Sequence, residues 1–150
     1  MKLSKFCDEN LITFSLKSTT KAGVIEELVE LAAGSTMIKN RDELLNDVRE
    51  RENLVTTGVG YGVAFPHAKT RAAKGIVIAF GRSAKGIDFE AMDHRPVNLF
   101  FLIAAPEDAV GAHLNVMARL SVLMKSEENR QRLMQVSSPG DVLSLIDNVD

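Results

Sequence analysis

The sequence predicts a single domain of the α/β class, in the broad sense that includes α+β, with a mixed β-sheet and helices packed on both faces. Two continuous apolar runs, residues 75–80 (GIVIAF) and 97–105 (VNLFFLIAA), are typical of strands buried on both sides. Segments with helical spacing of apolar residues lie before and after them. Strands and helices intermix along the chain, which favours a mixed sheet. The 150 residues suit one domain with a substantial core.

The first third of the chain predicts one strand and two helices. Residues 11–16 (LITFSL) combine apolar and β-favouring side chains, as strands do. Thr19 or Thr20 can cap a helix that ends at Gly34. A second helix begins after Asn40, which has a glutamate three residues on in a capping arrangement, and it ends near Arg51.

The last third predicts three helices after the long apolar strand. Pro106 closes that strand, and a helix from about 109 to 125 places His113 on an apolar stripe. A short helix follows at about 129–135. Ser138, followed by Pro, Gly and Asp, is a strong start signal for a final helix.

Charge and cysteine content narrow the classes of function. Eighteen basic and 20 acidic residues give a net charge of −2, so nucleic acid is not an expected partner. No stretch is long and apolar enough to span a bilayer, and we expect no export signal, because the first residues contain neither an apolar core nor a cleavage site. Cys7 is the only cysteine, which excludes an internal disulfide and a cysteine metal cage. We therefore expect a protein of the reducing cytoplasm, without membrane insertion.

The stretch 58–70 (GVGYGVAFPHAKT) concentrates glycines before a Pro–His pair. Its glycines do not form the dinucleotide fingerprint, because the third falls one residue early and no predicted strand precedes them. It is not a P-loop either, since Pro66 lacks an N–H where such a loop binds phosphate. Pro66 is rigid and holds the preceding residue extended, so His67 is well aimed for a nucleophile. The alternative for His67 is a polar loop residue without a role.

A run of basic residues surrounds this histidine in an otherwise acidic chain. Between residues 63 and 87 there is no acidic residue. The run has five basic residues: Lys69, Arg71, Lys74, Arg82 and Lys85. This local excess is a candidate platform for an anion such as a phosphoryl group, and a solvated face is the alternative.

Two motifs together resemble a known family. Residues 51–67 contain Arg-Glu, then Thr-Thr-Gly-Val-Gly, then Gly-Val-Ala-Phe-Pro-His, and a later Pro-Glu is followed by His113-Leu114. This combination resembles the EIIA component of the fructose/mannitol type in the bacterial phosphoenolpyruvate-dependent phosphotransferase system, and is nearest its stand-alone, nitrogen-regulatory branch. The resemblance covers nearly the whole chain and implies that residues 1–150 form one EIIA type-2 domain.

Two residues depart from the family pattern. Ala68 stands where many members have glycine, which is tolerable unless the position needs a positive φ. His94 stands where the family often has a small or polar turn residue. We interpret His94 as a turn residue with no chemical role.

The resemblance implies a histidine phosphocarrier, a phosphotransferase component that accepts a phosphoryl group on His67 from a phosphorylated HPr-type protein. It implies that His113 hydrogen-bonds the phosphoryl oxygens or orients His67, that Arg51 neutralises the transferred group, and that Thr57 donates a further hydrogen bond. From the residues alone, His113 would be a core histidine and Arg51 a surface residue satisfying helix-terminal carbonyls. The scheme requires no cofactor and no metal.

The sequence leaves open which protein receives the phosphoryl group or responds to it. It is either a regulatory module whose phosphorylation switches its target proteins, or a sugar-specific EIIA that passes the group to an EIIB domain during carbohydrate uptake. No EIIB or EIIC component is fused to the sequence, which favours regulation. In both cases we expect Lys69, Arg71 and Lys74 to assist partner docking. A metal hydrolase using the three histidines is a remote alternative, because no His-Glu-x-x-His motif is present.

Overall fold

The computed structural model describes residues 2–148, and in this range five α-helices and a six-stranded mixed sheet form. The helices are α1 (Lys21–Ala32), α2 (Arg41–Leu54), α3 (Val110–Lys125), α4 (Glu127–Gln135) and α5 (Pro139–Ile146). The strands are β1 (Ile12–Thr13), β2 (Gly58–Gly60), β3 (Val63–Ala64), β4 (His67–Lys69), β5 (Val77–Ile87) and β6 (Val97–Ala105). The predicted fold class is confirmed.

Strand β6 is the centre of the sheet. It pairs with β5 in antiparallel fashion on one side, and with β3 and then β4 in parallel fashion on the other. Ile103 of β6 therefore lies between Ile78 of β5 and His67 of β4. Strand β1 extends the sheet beyond β5, and β2 extends it beyond β3. Eight of the nine β6 residues are buried, as the continuous apolar run predicts for a strand covered on both faces.

Two neighbouring residues of β5 show that helices cover both faces of the sheet. A side chain at Gly81 would meet Leu28 of α1, so α1 packs closely on that face. The next residue, Arg82, points to the other face, where its guanidinium donates to the carbonyl oxygens of Leu133 and Val136 at the end of α4.

The predicted helix starts are confirmed by their caps. The side chains of Thr20, Asn40 and Ser138 each accept a hydrogen bond from the backbone N–H three residues on, at the starts of α1, α2 and α5. Helix α2 continues to Leu54, past its predicted end near Arg51. Ser126 caps α4, which begins earlier than predicted.

The strand boundaries were predicted less well. Strand β1 is limited to Ile12–Thr13, since a 3₁₀ turn takes up Leu11 at its start and residues 14–16 do not continue the strand. Strand β5 continues to Ile87, beyond the predicted end at residue 80, with a register shift after Arg82. The stretch 58–70 contributes three short strands that the sequence did not predict. Within residues 2–148, no helix has both the length and the apolar character that crossing a membrane requires.

Candidate functional site

Strand β4 places His67 at the edge of the parallel pairing with β6. The residues before it are tied on two sides, because Phe65 N–H donates to the carbonyl of Thr57 at 3.1 Å and Pro66 accepts from Ile103 N–H at 3.0 Å. His67 is the first residue of β4 and not a loop residue. Its backbone is therefore fixed by the sheet as well as by the rigid proline.

The ring of His67 is half-buried and held in one orientation. Its Nδ1 lies 2.8 Å from the carbonyl oxygen of Phe65. Because a carbonyl oxygen can only accept, Nδ1 carries the proton in this contact and Nε2 has the lone pair. This contact favours the tautomer in which the lone pair is on Nε2.

His113 lies beside His67, as the family resemblance implied. The two ring centroids are 5.4 Å apart and the ring planes are inclined by 42°. His113 is in the first turns of α3, where its N–H donates to the carbonyl of Ala109. Only 5 % of His113 is exposed, and its Nδ1 is buried without a hydrogen-bond partner among residues 2–148. A buried ring nitrogen without a hydrogen-bond partner is uncommon, and this one lies in the ring next to His67.

Both imidazoles are kept neutral near neutral pH. Burial is the main cause that lowers the pKa of His67, and the nearby cations Arg51 and Lys69 lower it further. The Phe65 carbonyl and the carboxylate of Glu52 act in the opposite direction. Burial, then His67 and Lys69, lowers the pKa of His113 to about 4. A neutral imidazole retains the lone pair that nucleophilic attack requires.

The two histidines lie in a shallow surface depression of about 1130 Å³. Its lining residues come mainly from α2, from β4 and from the start of α3. The charged residues that line it are Glu43, Asp47, Glu50, Arg51, Lys69, Arg71 and Glu107. Exposed Leu54 and Leu114 are part of the same surface, with 78 % and 63 % of each exposed. An open depression of this kind suits a protein partner better than an enclosed small molecule.

The position of Arg51 is compatible with both of the roles that the sequence left open. It lies in the last turn of α2, and one guanidinium nitrogen donates to the carbonyl of Val55 at 2.9 Å. This bond satisfies a carbonyl just beyond the helix end. The same guanidinium lines the depression and acts electrostatically on His67. One hydrogen bond thus fixes the cation while leaving further donors for an anion.

The basic run does not form one continuous patch. Lys69 shares a face of β4 with His67, lines the depression, and makes no ion pair within residues 2–148. Arg71 is exposed but lies between two carboxylates, 3.7 Å from Glu43 and 3.8 Å from Glu107. Lys74 does not line the depression, and its N–H donates to the carbonyl of Met37. Of the three basic residues expected at a docking surface, Lys69 is the one that lies on the same face of β4 as His67.

Thr57 is engaged inside the protein. It is 4 % exposed, and its hydroxyl and N–H both donate to the carboxylate of Glu52. The hydroxyl proton that we expected to serve a phosphoryl group is thus used by Glu52. Sequence reasoning missed Glu52 as a site residue, although a signal exists: it falls four residues after Val48 on the buried stripe of α2.

The two residues that depart from the family pattern have simple structural places. Ala68 is buried in β4, and the positive-φ residues other than glycine within 2–148 are Tyr61, Glu90 and His94. Alanine therefore causes no backbone strain at position 68. His94 lies in an exposed turn with φ of 61° and is not among the residues that line the depression. Within the described part of the chain, no group of three or more His, Cys, Asp or Glu side chains could hold a metal ion.

Comparison with known proteins identifies the family. The model of the "Phosphoenolpyruvate-dependent sugar phosphotransferase system, EIIA 2" family matches residues 5–149. A fructose-specific EIIA component of Haloferax volcanii is 40 % identical, over 93 % of this chain and 90 % of its own length. A nitrogen regulatory protein of Bradyrhizobium diazoefficiens is also 40 % identical, over 79 % of this chain and 77 % of its own length.

The solved structures agree with this result. The nitrogen regulatory protein IIA-Ntr of Neisseria meningitidis superposes with a TM-score of 0.89 at 30 % identity, covering 96 % of this chain and 98 % of that one. The chain spans about a quarter (24 %) of the length of the fructose-specific EIIABC component of Bacillus subtilis, to which it is 35 % identical. The chain therefore belongs to the EIIA type-2 family of the phosphoenolpyruvate-dependent sugar phosphotransferase system.

Proposed function

We propose that residues 1–150 act as one EIIA domain, which accepts a phosphoryl group on Nε2 of His67 from a phosphorylated HPr-type carrier. The observation that carries this proposal is the contact of His67 Nδ1 with the Phe65 carbonyl, because it leaves the lone pair on Nε2. The lowered pKa of His67 adds that the ring is neutral at neutral pH. Family membership supplies the reaction class.

The transfer needs little covalent help from the protein. The lone pair of His67 Nε2 attacks the phosphorus of the donor's phosphohistidine, a new N–P bond forms, and the electron pair of the breaking N–P bond returns to the donor ring. The ring of His67 becomes positively charged, and its Nδ1–H continues to donate to the Phe65 carbonyl. Positioning and charge stabilisation are the remaining requirements.

Three residues around the ring meet these requirements in this proposal. Arg51 presents guanidinium donors whose planar geometry matches phosphoryl oxygens, and Lys69 adds a second positive charge. The neutral ring of His113, 5.4 Å from His67, can donate one hydrogen bond to a phosphoryl oxygen. Thr57 contributes indirectly, since its hydroxyl donates to Glu52.

The direct test is intact mass. The protein is incubated with an HPr-type carrier that has been phosphorylated beforehand and freed of metal, and an established EIIA serves as control. We expect the mass of one phosphoryl group to be added. Labelling of the control but not of this protein would contradict the proposal.

After His67 is phosphorylated, the protein can act in one of two ways: it can switch regulatory targets, or it can pass the phosphoryl group to an EIIB domain. Relatives of equal identity are described as a nitrogen regulatory protein and as a fructose-specific EIIA component. We propose the regulatory role, in which the phosphorylation state switches target proteins, and passage to an EIIB domain for sugar uptake is the alternative. Incubating the phosphorylated protein with purified fructose-type EIIB separates them, because rapid loss of the label to EIIB supports uptake. In both roles the phosphoryl group comes from phosphoenolpyruvate, so we propose a cytoplasmic location for the protein.

A further inference from the structure

A chain of hydrogen bonds leads from the start of α1 to the ring of His67. The ammonium of Lys21 lies 3.1 Å from Oε2 of Glu52. The carboxylate of Glu52 accepts from the N–H of Thr57 at 2.8 Å and from its hydroxyl at 2.5 Å. The carbonyl of Thr57 accepts from Phe65 N–H, and the carbonyl of Phe65 faces Nδ1 of His67. Each link joins one fixed segment of the chain to the next.

The burial of Glu52 requires an explanation. Only 5 % of the residue is exposed, although it lies on a helix next to exposed positions. A buried carboxylate is destabilising unless it is paired and hydrogen-bonded, and replacing a whole buried ion pair by apolar side chains of similar size often causes no loss of stability. Here the carboxylate is satisfied by one ammonium and by two donors of one residue, Thr57. Its structural effect is thus to hold Thr57, and with it the backbone that Phe65 contacts.

We propose that Glu52 is a positioning residue for His67, which fixes the Phe65 carbonyl through Thr57 and so keeps the ring proton on Nδ1 and the lone pair on Nε2. This inference rests on the proposed function of His67 as phosphoryl acceptor. If the carbonyl were displaced, the ring could turn and its proton could move to Nε2, the nitrogen that must attack. The carboxylate also favours the positively charged ring that the attack creates.

The test is Glu52→Gln, which preserves the size of the side chain and removes its charge. The matched control is Glu90→Gln, because Glu90 lies 3.6 Å from the same Lys21 ammonium, but its side chain is 77 % exposed and it does not contact Thr57. Nitrogen NMR of the His67 ring, without phosphorylation, reports the tautomer and the pKa. In Glu52→Gln we expect a mixture of tautomers and labelling slowed by about tenfold, equivalent to one weakened hydrogen bond. Glu90→Gln is expected to match the unsubstituted protein.

The direction of the pKa change separates positioning from a loosened structure. Loss of the carboxylate and weakening of the Phe65 contact both lower the pKa of His67. Entry of water around a loosened ring would raise it towards its ordinary value. A raised pKa, or an unchanged tautomer with unchanged labelling, would overturn the proposal.

Thr57 provides the same test if Glu52→Gln does not fold. Thr57→Val removes the hydroxyl donor to Glu52, whereas Thr57→Ser retains it. We expect Thr57→Val to shift the tautomer and to slow labelling, and Thr57→Ser to restore both. Equal behaviour of the two variants would overturn the proposal. Because the tautomer is measured without a carrier, absence of labelling in the unsubstituted protein would count against the proposed function alone.

Discussion

The imidazole rings of His67 and His113 lie 5.4 Å apart between centroids, one on β4 and the other at the start of α3. This spacing allows a group bound to one ring to reach a ring nitrogen of the other. The two residues differ in their hydrogen bonds, since Nδ1 of His67 has the Phe65 carbonyl as partner while Nδ1 of His113 has none within residues 2–148.

Alanine substitutions should separate the two histidines. His67→Ala removes the acceptor and should abolish phosphoryl labelling. His113→Ala removes a hydrogen bond to the phosphoryl group and should slow labelling on the order of 10²-fold without abolishing it. Intact mass against time checks both, and the label should be labile in acid and stable in base, as a phosphoramidate is. The reverse result, with the label lost in His113→Ala and retained in His67→Ala, would exchange the roles.

Arg51→Lys should impair transfer although it conserves the charge. An ammonium cannot donate to Val55 and to two phosphoryl oxygens with the planar geometry of a guanidinium. We expect labelling to slow by about tenfold or more. Arg49→Lys is the matched control, because Arg49 lies on the same helix, is exposed and pairs with Glu26. Equal rates in both variants would reduce Arg51 to a helix-capping residue.

Neutralising single lysines should show which part of the basic run matters. Lys69→Gln should raise the pKa of His67 towards its ordinary value, since Lys69 contributes to lowering it. It should also slow labelling and weaken its salt dependence. Lys74→Gln, which changes a lysine away from the depression, should leave all three quantities unchanged. Similar effects of both variants would mean that the whole run acts as one long-range field.

His113 should make the fold sensitive to acid. Its pKa is lowered from 6.5 to about 4, so between these values the unfolded chain binds a proton that the folded protein does not. The free energy of unfolding is then fully retained above 6.5 and falls as the pH is lowered towards 4, by at most roughly 3 kcal/mol. His113→Gln should flatten this dependence in urea unfolding series. Parallel pH profiles for the variant and the unsubstituted protein would contradict the lowered pKa.

The sequence was informative where one type of residue dominates a segment. The apolar run at 97–105 corresponds to the full extent of β6, and Thr20, Asn40 and Ser138 cap helices as predicted. The predicted strand ended too early for β5, because Arg82 interrupts the apolar pattern. Its guanidinium donates hydrogen bonds to the carbonyl oxygens at the end of α4. The strands between residues 58 and 69 are too short for any periodicity to be recognised.

At the candidate site, the two histidines were predicted from the sequence, but the hydrogen bonds that hold His67 in place were not. The nearness of His67 and His113 came from the family resemblance, since a histidine on an apolar helix stripe is ordinarily a core residue. The place of Glu52 on the buried stripe of α2 was a signal of its burial, but its connection to Thr57 could not be predicted from the sequence. It depends on tertiary packing of α1, α2 and β2, which no local pattern encodes.

The parallel pairing of β4 with β6 restricts insertions and deletions in the segment just before His67. His67 is opposite Ile103 and Ala68 is opposite Ala104, with alternate side chains on opposite faces of the sheet. Adding or removing one residue just before His67 would shift this register and exchange the faces, so that the imidazole would enter the core and a methyl group would face the depression. We therefore expect this segment to accept substitutions far more readily than single-residue insertions or deletions, whichever partner binds at the depression.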